Sequence, residues 1–241
     1  LGWRARGSLR SGILYAAMLC AVGVVGLWQL MYMTLSIVLA SVLLALIIGL
    51  PTGILLSASD RAMLVARPIL DTMQTMPVFV YLIPALLLFG LGSASAVIAT
   101  VIYAVVPVIR LTSLGIRQVD ESVVEASRSF GSTRMQTLTK VQIPQAMPTI
   151  MAGVNQTLMM AMSMVVTCSM IGARGLGNEV LIAVNRTEIG RGLVSGFSVV
   201  ILAVLLDRMT QGWFSDEKRL ARQDRRLRVK IKKEAGGDSN G

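Results

Sequence analysis

Uncharged runs long enough to cross a bilayer alternate along this chain with short polar breaks. Residues 11–59 carry no charge and have the length for two crossings. Residues 72–109 supply a second pair, with Gly90-Leu91-Gly92-Ser93 as the turn, and 145–173 supply one crossing with margin. The measure applied is the run of about 20 apolar residues that spans the hydrocarbon core. The uncharged run 192–206 is shorter and reaches both interfaces by extending at its ends. The pattern predicts an all-α polytopic membrane protein of about six transmembrane helices, near 11–28, 31–57, 74–90, 94–110, 146–171 and 193–211.

One polar segment, 118–144, interrupts this pattern. Ser122 followed by Glu125 has the spacing of a capping box, so a helix is predicted to start there, with Val123, Ala126 and Phe130 as its apolar face. Gly131 follows, where a helix end needs a residue that tolerates positive φ. A second helix with a stripe of Met135, Leu138 and Val141 is predicted to run until Pro144 ends it. Two short amphipathic helices would then meet at a glycine with Arg128, Arg134 and Lys140 outward. The physics alone leaves two readings: an interfacial loop lying on headgroups, or an elbow that grips something outside the bilayer.

Charge orients the spans. If the elbow is cytoplasmic, twenty of the 23 basic residues fall on its side and only Arg174, Arg186 and Arg191 on the other. That asymmetry predicts both termini on the cytoplasmic side. It also accounts for the net charge of +10, much of which sits in a basic tail at 218–233, so nucleic acid is not needed as a partner. Such a tail orients the protein and can touch anionic membrane lipid. With 54% hydrophobic and 15% charged residues the composition is that of a membrane protein.

Chemistry is sparse. There is no histidine, and Cys20 and Cys168 both fall in predicted spans, so neither a metal site nor a disulfide framework is expected. No Walker-type glycine loop and no nucleophile–base set occurs, which predicts a protein without catalysis of its own. Gly172-Ala173-Arg174-Gly175-Leu176-Gly177 has no strand before it and is not a dinucleotide fingerprint. The amino end lacks the features of a cleavable signal, and the start at Leu1 predicts a piece of a longer polypeptide.

The elbow's spacing is specific. Glu125-Ala126-Ser127, then Gly131, then Val141-Gln142-Ile143-Pro144 resembles the EAA motif of binding-protein-dependent ABC importer permeases, with Ser127 in place of a second alanine. Further segments resemble the glycine betaine/proline betaine branch of that family. They are Arg67-Pro68-Ile69-Leu70-Asp71-Thr72-Met73-Gln74-Thr75-Met76-Pro77, Tyr81-Leu82-Ile83-Pro84, Ile109-Arg110-Leu111-Thr112, the residues from Ala146 to Thr157, and Leu206-Asp207-Arg208-Met209-Thr210-Gln211. The resemblance covers roughly residues 28–212.

It implies a MetI-like type I importer permease fold in the bacterial inner membrane. It implies an elbow that docks into an ATP-binding subunit through Glu125, Ala126, Ser127, Phe130, Gly131, Val141, Ile143 and Pro144. The partners implied are that ATPase, a second copy of this chain and a periplasmic or extracellular solute-binding protein. ATP and magnesium would be held by the ATPase, with no cofactor in this chain. The organisation expected is a stub and first helix at 1–30, a permease core at 31–212 and a flexible tail at 213–241.

Polar residues within spans are costly unless they face a neighbour or a cavity. In the fifth span Asn155, Met159, Met162 and Val166 share one helical face, and Gln156, Met160, Ser163 and Thr167 another. One is expected to face a translocation pathway and the other the bundle. Gln74, Thr75, Phe79 and Tyr81 are pathway candidates in the third span, which Pro77 and Pro84 can kink. Seven of the fifteen methionines lie in or near the fifth span, as core filler or as adaptable surface for sliding helices. On the external side the resemblance places a short helix after the glycine-rich turn. Arg174, Glu179, Arg186 and Glu188 are candidates there for docking the binding protein.

The function implied is import of glycine betaine or a related quaternary ammonium solute. The alternatives are an ABC permease for choline, carnitine, an amino acid or another small solute, and an ion-coupled carrier. The sequence shows no internal repeat and no mid-membrane charge of the kind such carriers use.

Overall fold

A computed structural model describes residues 22–210, with Met18 and Cys20. The expected tail at 213–241 and most of the first span lie outside these residues. The described elements are α1 (Trp28–Ser57), α2 (Asp60–Thr75), α3 (Phe79–Phe89), α4 (Ser93–Arg117), α5 (Glu121–Ser129) and α6 (Arg134–Thr137). A π-helical turn (Leu138–Gln142) follows, then α7 (Ile143–Thr167), a 3-10 turn (Cys168–Ile171), α8 (Leu176–Arg186) and α9 (Ile189–Thr210).

Four of these stretches are long and apolar enough to cross a membrane: α1, α4, the continuous helix Arg134–Ile171 and α9. The bent pair α2–α3 makes a fifth. The first span expected near 11–28 lies mostly outside the described residues, and the other five expected spans are found with changes of outline. The third span is not one helix over 74–90. Residues 58–73, expected as a loop, are mostly the amphipathic helix α2, and α3 leaves it at 93° across Met76-Pro77-Val78. The helix breaks at Pro77, which has no amide to continue the ladder, whereas the helices run on through Pro68 and Pro84.

The second correction concerns Pro144, which does not end the elbow's second helix. The chain runs unbroken from Arg134 to Ile171 because one turn opens to π geometry, the Ile143 amide donating to the Leu138 carbonyl five residues back. The extra residue makes room for the proline ring and places its missing amide at the first turn of α7, where none is required.

The core is a three-helix seam with α4 at its centre, flanked by α1 and α7. Small residues line it: Gly49 and Gly53 on α1, Ala96, Ala99 and Ala104 on α4, and Ala146, Gly153 and Ala161 on α7, with Thr100, Thr112 and Thr157 between them. Such residues let backbones approach, which is how helices gain dispersion energy when lipid offers no hydrophobic drive. The approach is close: a Cβ on Gly53 would stand 2.7 Å from Thr112 Cβ and 2.8 Å from the Ile109 carbonyl oxygen, and one on Gly153 3.0 Å from Leu111 Cβ. The apolar surfaces of α1, α3 and α9, among them Leu43, Leu87 and Phe197, are exposed on the isolated subunit, as lipid-facing positions are.

Gly53→Ala is expected to destabilise the detergent-solubilised protein by about 1–3 kcal/mol through overpacking. Gly190→Ala, which meets nothing within 4 Å, is expected to leave it unchanged or slightly firmer. Paired thermal denaturation of the two variants checks this.

Candidate functional site

The elbow between α4 and α7 is closed by its own hydrogen bonds. Asp120, not Ser122, caps α5: its carboxylate accepts from the Ser122 amide at 3.0 Å, and hydrogen bonding by Ser122 holds that carboxyl below the usual carboxylate range. The capping box expected at Ser122 and Glu125 occurs instead at the second helix. There the Gln136 amide donates to Thr133 Oγ1 at 3.3 Å and the Thr133 amide donates to Gln136 Oε1 at 2.9 Å.

Between the two helices α5 ends in a Schellman motif. The Ser132 amide donates to the Ser127 carbonyl at 3.3 Å and the Gly131 amide to the Arg128 carbonyl at 2.9 Å, with Gly131 at φ 81. A side chain at 131 would meet no atom within 4 Å, so it is the backbone conformation, not space, that calls for glycine.

Inward, the elbow rests on its own second helix. Val124 is buried, and Ser127 Oγ lies 3.4 Å from Oγ1 of the buried Thr137. Its base is a small cluster of Ile116, Ala146 and Ile150 packed by Val119, Leu138 and Ile143. Outward, Glu125, Ala126 and Gly131 are exposed, Phe130 is 91% exposed and Met135 68%. The expected apolar face of Val123, Ala126 and Phe130 is therefore not the packing face. Phe130 sits at the cap, outside the helical spiral, while Val124 is buried and Ser127 turns inward to meet Thr137. Val141 and Ile143 are half-buried at the base, while Pro144 is exposed.

Ion pairs fix the helices around this end. Arg117, at the last turn of α4, bonds Asp60 Oδ1 at 2.5 Å and the Leu56 carbonyl at 3.1 Å, tying the α1–α2 corner to the root of the elbow. Two turns earlier on α4, Arg110 pairs with Asp71 on α2. Both pairs escaped the sequence reading, although Asp71 and Arg110 lie in the motif segments. Their 39-residue separation gave no local signal.

The polar residues of α7 divide by exposure. Ala152, Gln156, Met159 and Ser163 form an exposed stripe at helical spacing along it, continued by Met170 in the 3-10 turn, with Met160 and Thr167 half-buried beside it. Asn155 and Val166 are half-buried and Met162 is buried, so the stripe expected from Asn155, Met159, Met162 and Val166 is split. Thr167 bonds back to the Ser163 carbonyl at 3.1 Å, while Asn155 Oδ1 and Thr157 Oγ1 are buried without a partner. On the bent pair, Gln74 and Thr75 are exposed at the end of α2 and Phe79 at the start of α3, whereas Tyr81 is buried.

At the far end the glycine-rich turn packs on α1. The Leu176 amide donates to Thr34 Oγ1 at 2.8 Å, and a Cβ on Gly175 would stand 2.5 Å from that oxygen. Arg174 is exposed. Glu179 and Glu188 do not stand free: Arg191 bonds Glu179 at 2.6 Å and Glu188 at 3.3 Å, and Arg186 lies 3.9 Å from Glu188. This clamp joins α8 to α9 across Thr187, a β-branched residue held at φ 57. Arg191 figured only in the charge count of the sequence.

A bundle of apolar, membrane-length helices carrying an exposed polar elbow defines a polytopic helical membrane protein. Residues 41–212 match the binding-protein-dependent transport system inner membrane component family, and the chain belongs to it. It is 50% identical over 218 residues to the glycine betaine/proline betaine transport system permease protein ProW of Escherichia coli (strain K12), covering 90% of this chain and 61% of that one. It is 53% identical over 186 residues to the glycine betaine/carnitine transport permease protein GbuB of Listeria monocytogenes, covering 77% and 66%. The chain thus spans about three fifths of the length of ProW. Among solved structures, an inward-facing conformation of the MetNI methionine ABC transporter matches with TM-score 0.66 at 24% identity, over 81% of this chain and 94% of that one. That likeness establishes the fold.

Arg191→Met is expected to speed amide hydrogen exchange in α8 at least several-fold, because it frees Glu179 and Glu188 together. Arg186→Met, at a 3.9 Å contact, is expected to change it little.

Proposed function

We propose that this chain is the transmembrane permease subunit of an ATP-driven importer for glycine betaine or a related quaternary ammonium osmoprotectant. The observation that carries the reading is the elbow: internally satisfied in every cap, rooted in two spans, and offering Phe130 and Met135 to the outside. An exposed aromatic beside an exposed methionine on a rigid polar frame is a surface made for a partner's groove. A headgroup-lying loop needs neither the frame nor the fixed angle. The partner is an ATP-binding subunit that holds ATP and magnesium.

The assembly pairs two copies of this chain with two such ATPases and an external solute-binding protein. The elbow end faces the cytoplasm, in keeping with the positive charge on that side. Closure of the ATPases on ATP draws the two elbows together and turns the bundle outward; hydrolysis resets it. Gln156, Met159, Ser163 and Thr167 on α7 line the route. Arg174 and the Arg186–Glu188 corner receive the binding protein. The solute class rests on relatives: the names of ProW and GbuB include glycine betaine, and a relative 42% identical over 192 residues is a trimethylamine N-oxide permease of Pelagibacter ubique. These solutes share a methylated nitrogen cation with little hydrogen-bonding capacity.

The test is uptake of labelled glycine betaine by proteoliposomes holding the subunit with its ATPase and binding protein. Uptake is expected only with ATP on the elbow side; uptake driven by an ion gradient alone would sink the proposal. Gly131→Val forces a β-branched residue to φ 81 at a cost of about 1–2 kcal/mol or more. It is expected to cut solute moved per ATP hydrolysed by about tenfold while the subunit still inserts.

A further inference from the structure

We infer that Tyr81 is a positioning residue that locks the broken third span into a rigid right-angled corner, and that transport depends on that corner. The functional half of this inference rests on the importer reading above.

In a continuous helix the amide of residue 77 would donate to the carbonyl of residue 73, but residue 77 is proline and has no amide. The Met73 carbonyl is therefore orphaned at a helix end, inside a membrane protein where an unpaired carbonyl is expensive. Tyr81 fills the gap: its hydroxyl donates to the Met73 oxygen at 2.5 Å, reaching back eight residues across the 93° bend. A straight helix would carry position 81 two turns beyond residue 73, out of reach, so the bond exists only in the bent form.

The ring end of Tyr81 is held as firmly. It is 8% exposed and meets Tyr103 of α4 edge to face, with centroids 5.7 Å apart. The same side chain thus bonds α2, belongs to α3 and packs on α4. Asp71 pairs with Arg110 on one side of the bend, and Asp60 with Arg117 nearer the elbow. The corner is consequently fastened to α4 at three levels, and α4 leads directly into the elbow. Motion of the elbow carries the bent span with it as one body. Tyr81 acts through the Met73 carbonyl and not as a wall of the route.

The test uses spin labels at Leu64 and Leu87, both exposed, in a background carrying Cys20→Ala and Cys168→Ala. At the observed angle their backbones stand roughly 23 Å apart, against roughly 35 Å in a straight helix. Wild-type protein in nanodiscs is expected to give a narrow distribution near the shorter distance. Tyr81→Phe keeps the ring and loses the donor; it is expected to broaden the distribution toward longer distances and to lower glycine betaine uptake about three- to tenfold. An unchanged distribution would overturn the inference, and so would a broadened one with full uptake. Pro77→Ala returns an amide to the Met73 carbonyl and is expected to shift the distance toward the longer value with or without Tyr81; an unshifted distance counts against the orphan-carbonyl argument. The distance measurements need no solute. If wild type shows the narrow distribution but takes up no glycine betaine, the importer reading fails while the corner stands.

Discussion

Helices in hydrocarbon gain nothing by leaving water, because the lipid around them is as apolar as leucine. What holds this bundle is contact close enough for backbone to touch backbone, and α4 is where that happens. Gly53 of α1 meets the Ile109 carbonyl and Gly153 of α7 meets the Pro107 carbonyl, from opposite sequence directions, on one helix. A Cβ at either position would stand 2.8 and 3.3 Å from those oxygens. α4 is therefore the member whose position sets those of α1 and α7, and its last turn is also the root of the elbow.

Charges extend that control to the parts the seam does not reach. Arg110 and Arg117 lie on α4, and each holds an acid of α2. Near a membrane interface an unpaired arginine or aspartate would be costly, so pairing is the expected state. Both pairs retain solvent access, and their value is positional more than energetic. The amphipathic helix between them is tied along its length, leaving the bend at 76–78 as the place where the third span changes direction. The opposite end uses the same device, with Arg191 bridging acids of α8 and the α8–α9 turn.

The seven prolines show how one residue type yields different outcomes. Pro51, Pro68, Pro84, Pro107 and Pro148 sit inside helices that continue past them. Pro144 is absorbed by a π turn that adds one residue between the elbow and α7, and so sets the angle at which the elbow leaves the span. Only Pro77 breaks its helix. Near Pro77 a tyrosine four residues on reaches back to the Met73 carbonyl and supplies the lost donor, which stabilises the sharp corner.

The chain's order of apolar runs, its polar elbow and the glycine at its centre were legible in the sequence, because span length, charge asymmetry and the need for positive φ at residue 131 are local properties. The exposed stripe through Gln156 and Ser163 was legible as one of two faces, since helical spacing groups residues without saying which side meets a neighbour. Tertiary structure decided the rest. Residues 58–73, expected as a loop, are mostly helix with Ser59 at its cap, and what fixes that helix against α4 is its acids meeting arginines 39 and 57 residues onward. Phe130 is outward because it sits at the cap while the inward face is taken by the buried Val124 and by Ser127 bonded to Thr137. Tyr81 is buried, with its hydroxyl on the Met73 carbonyl across the bend. Each outcome depended on a partner distant in sequence or on a bend, and neither is written in a local pattern.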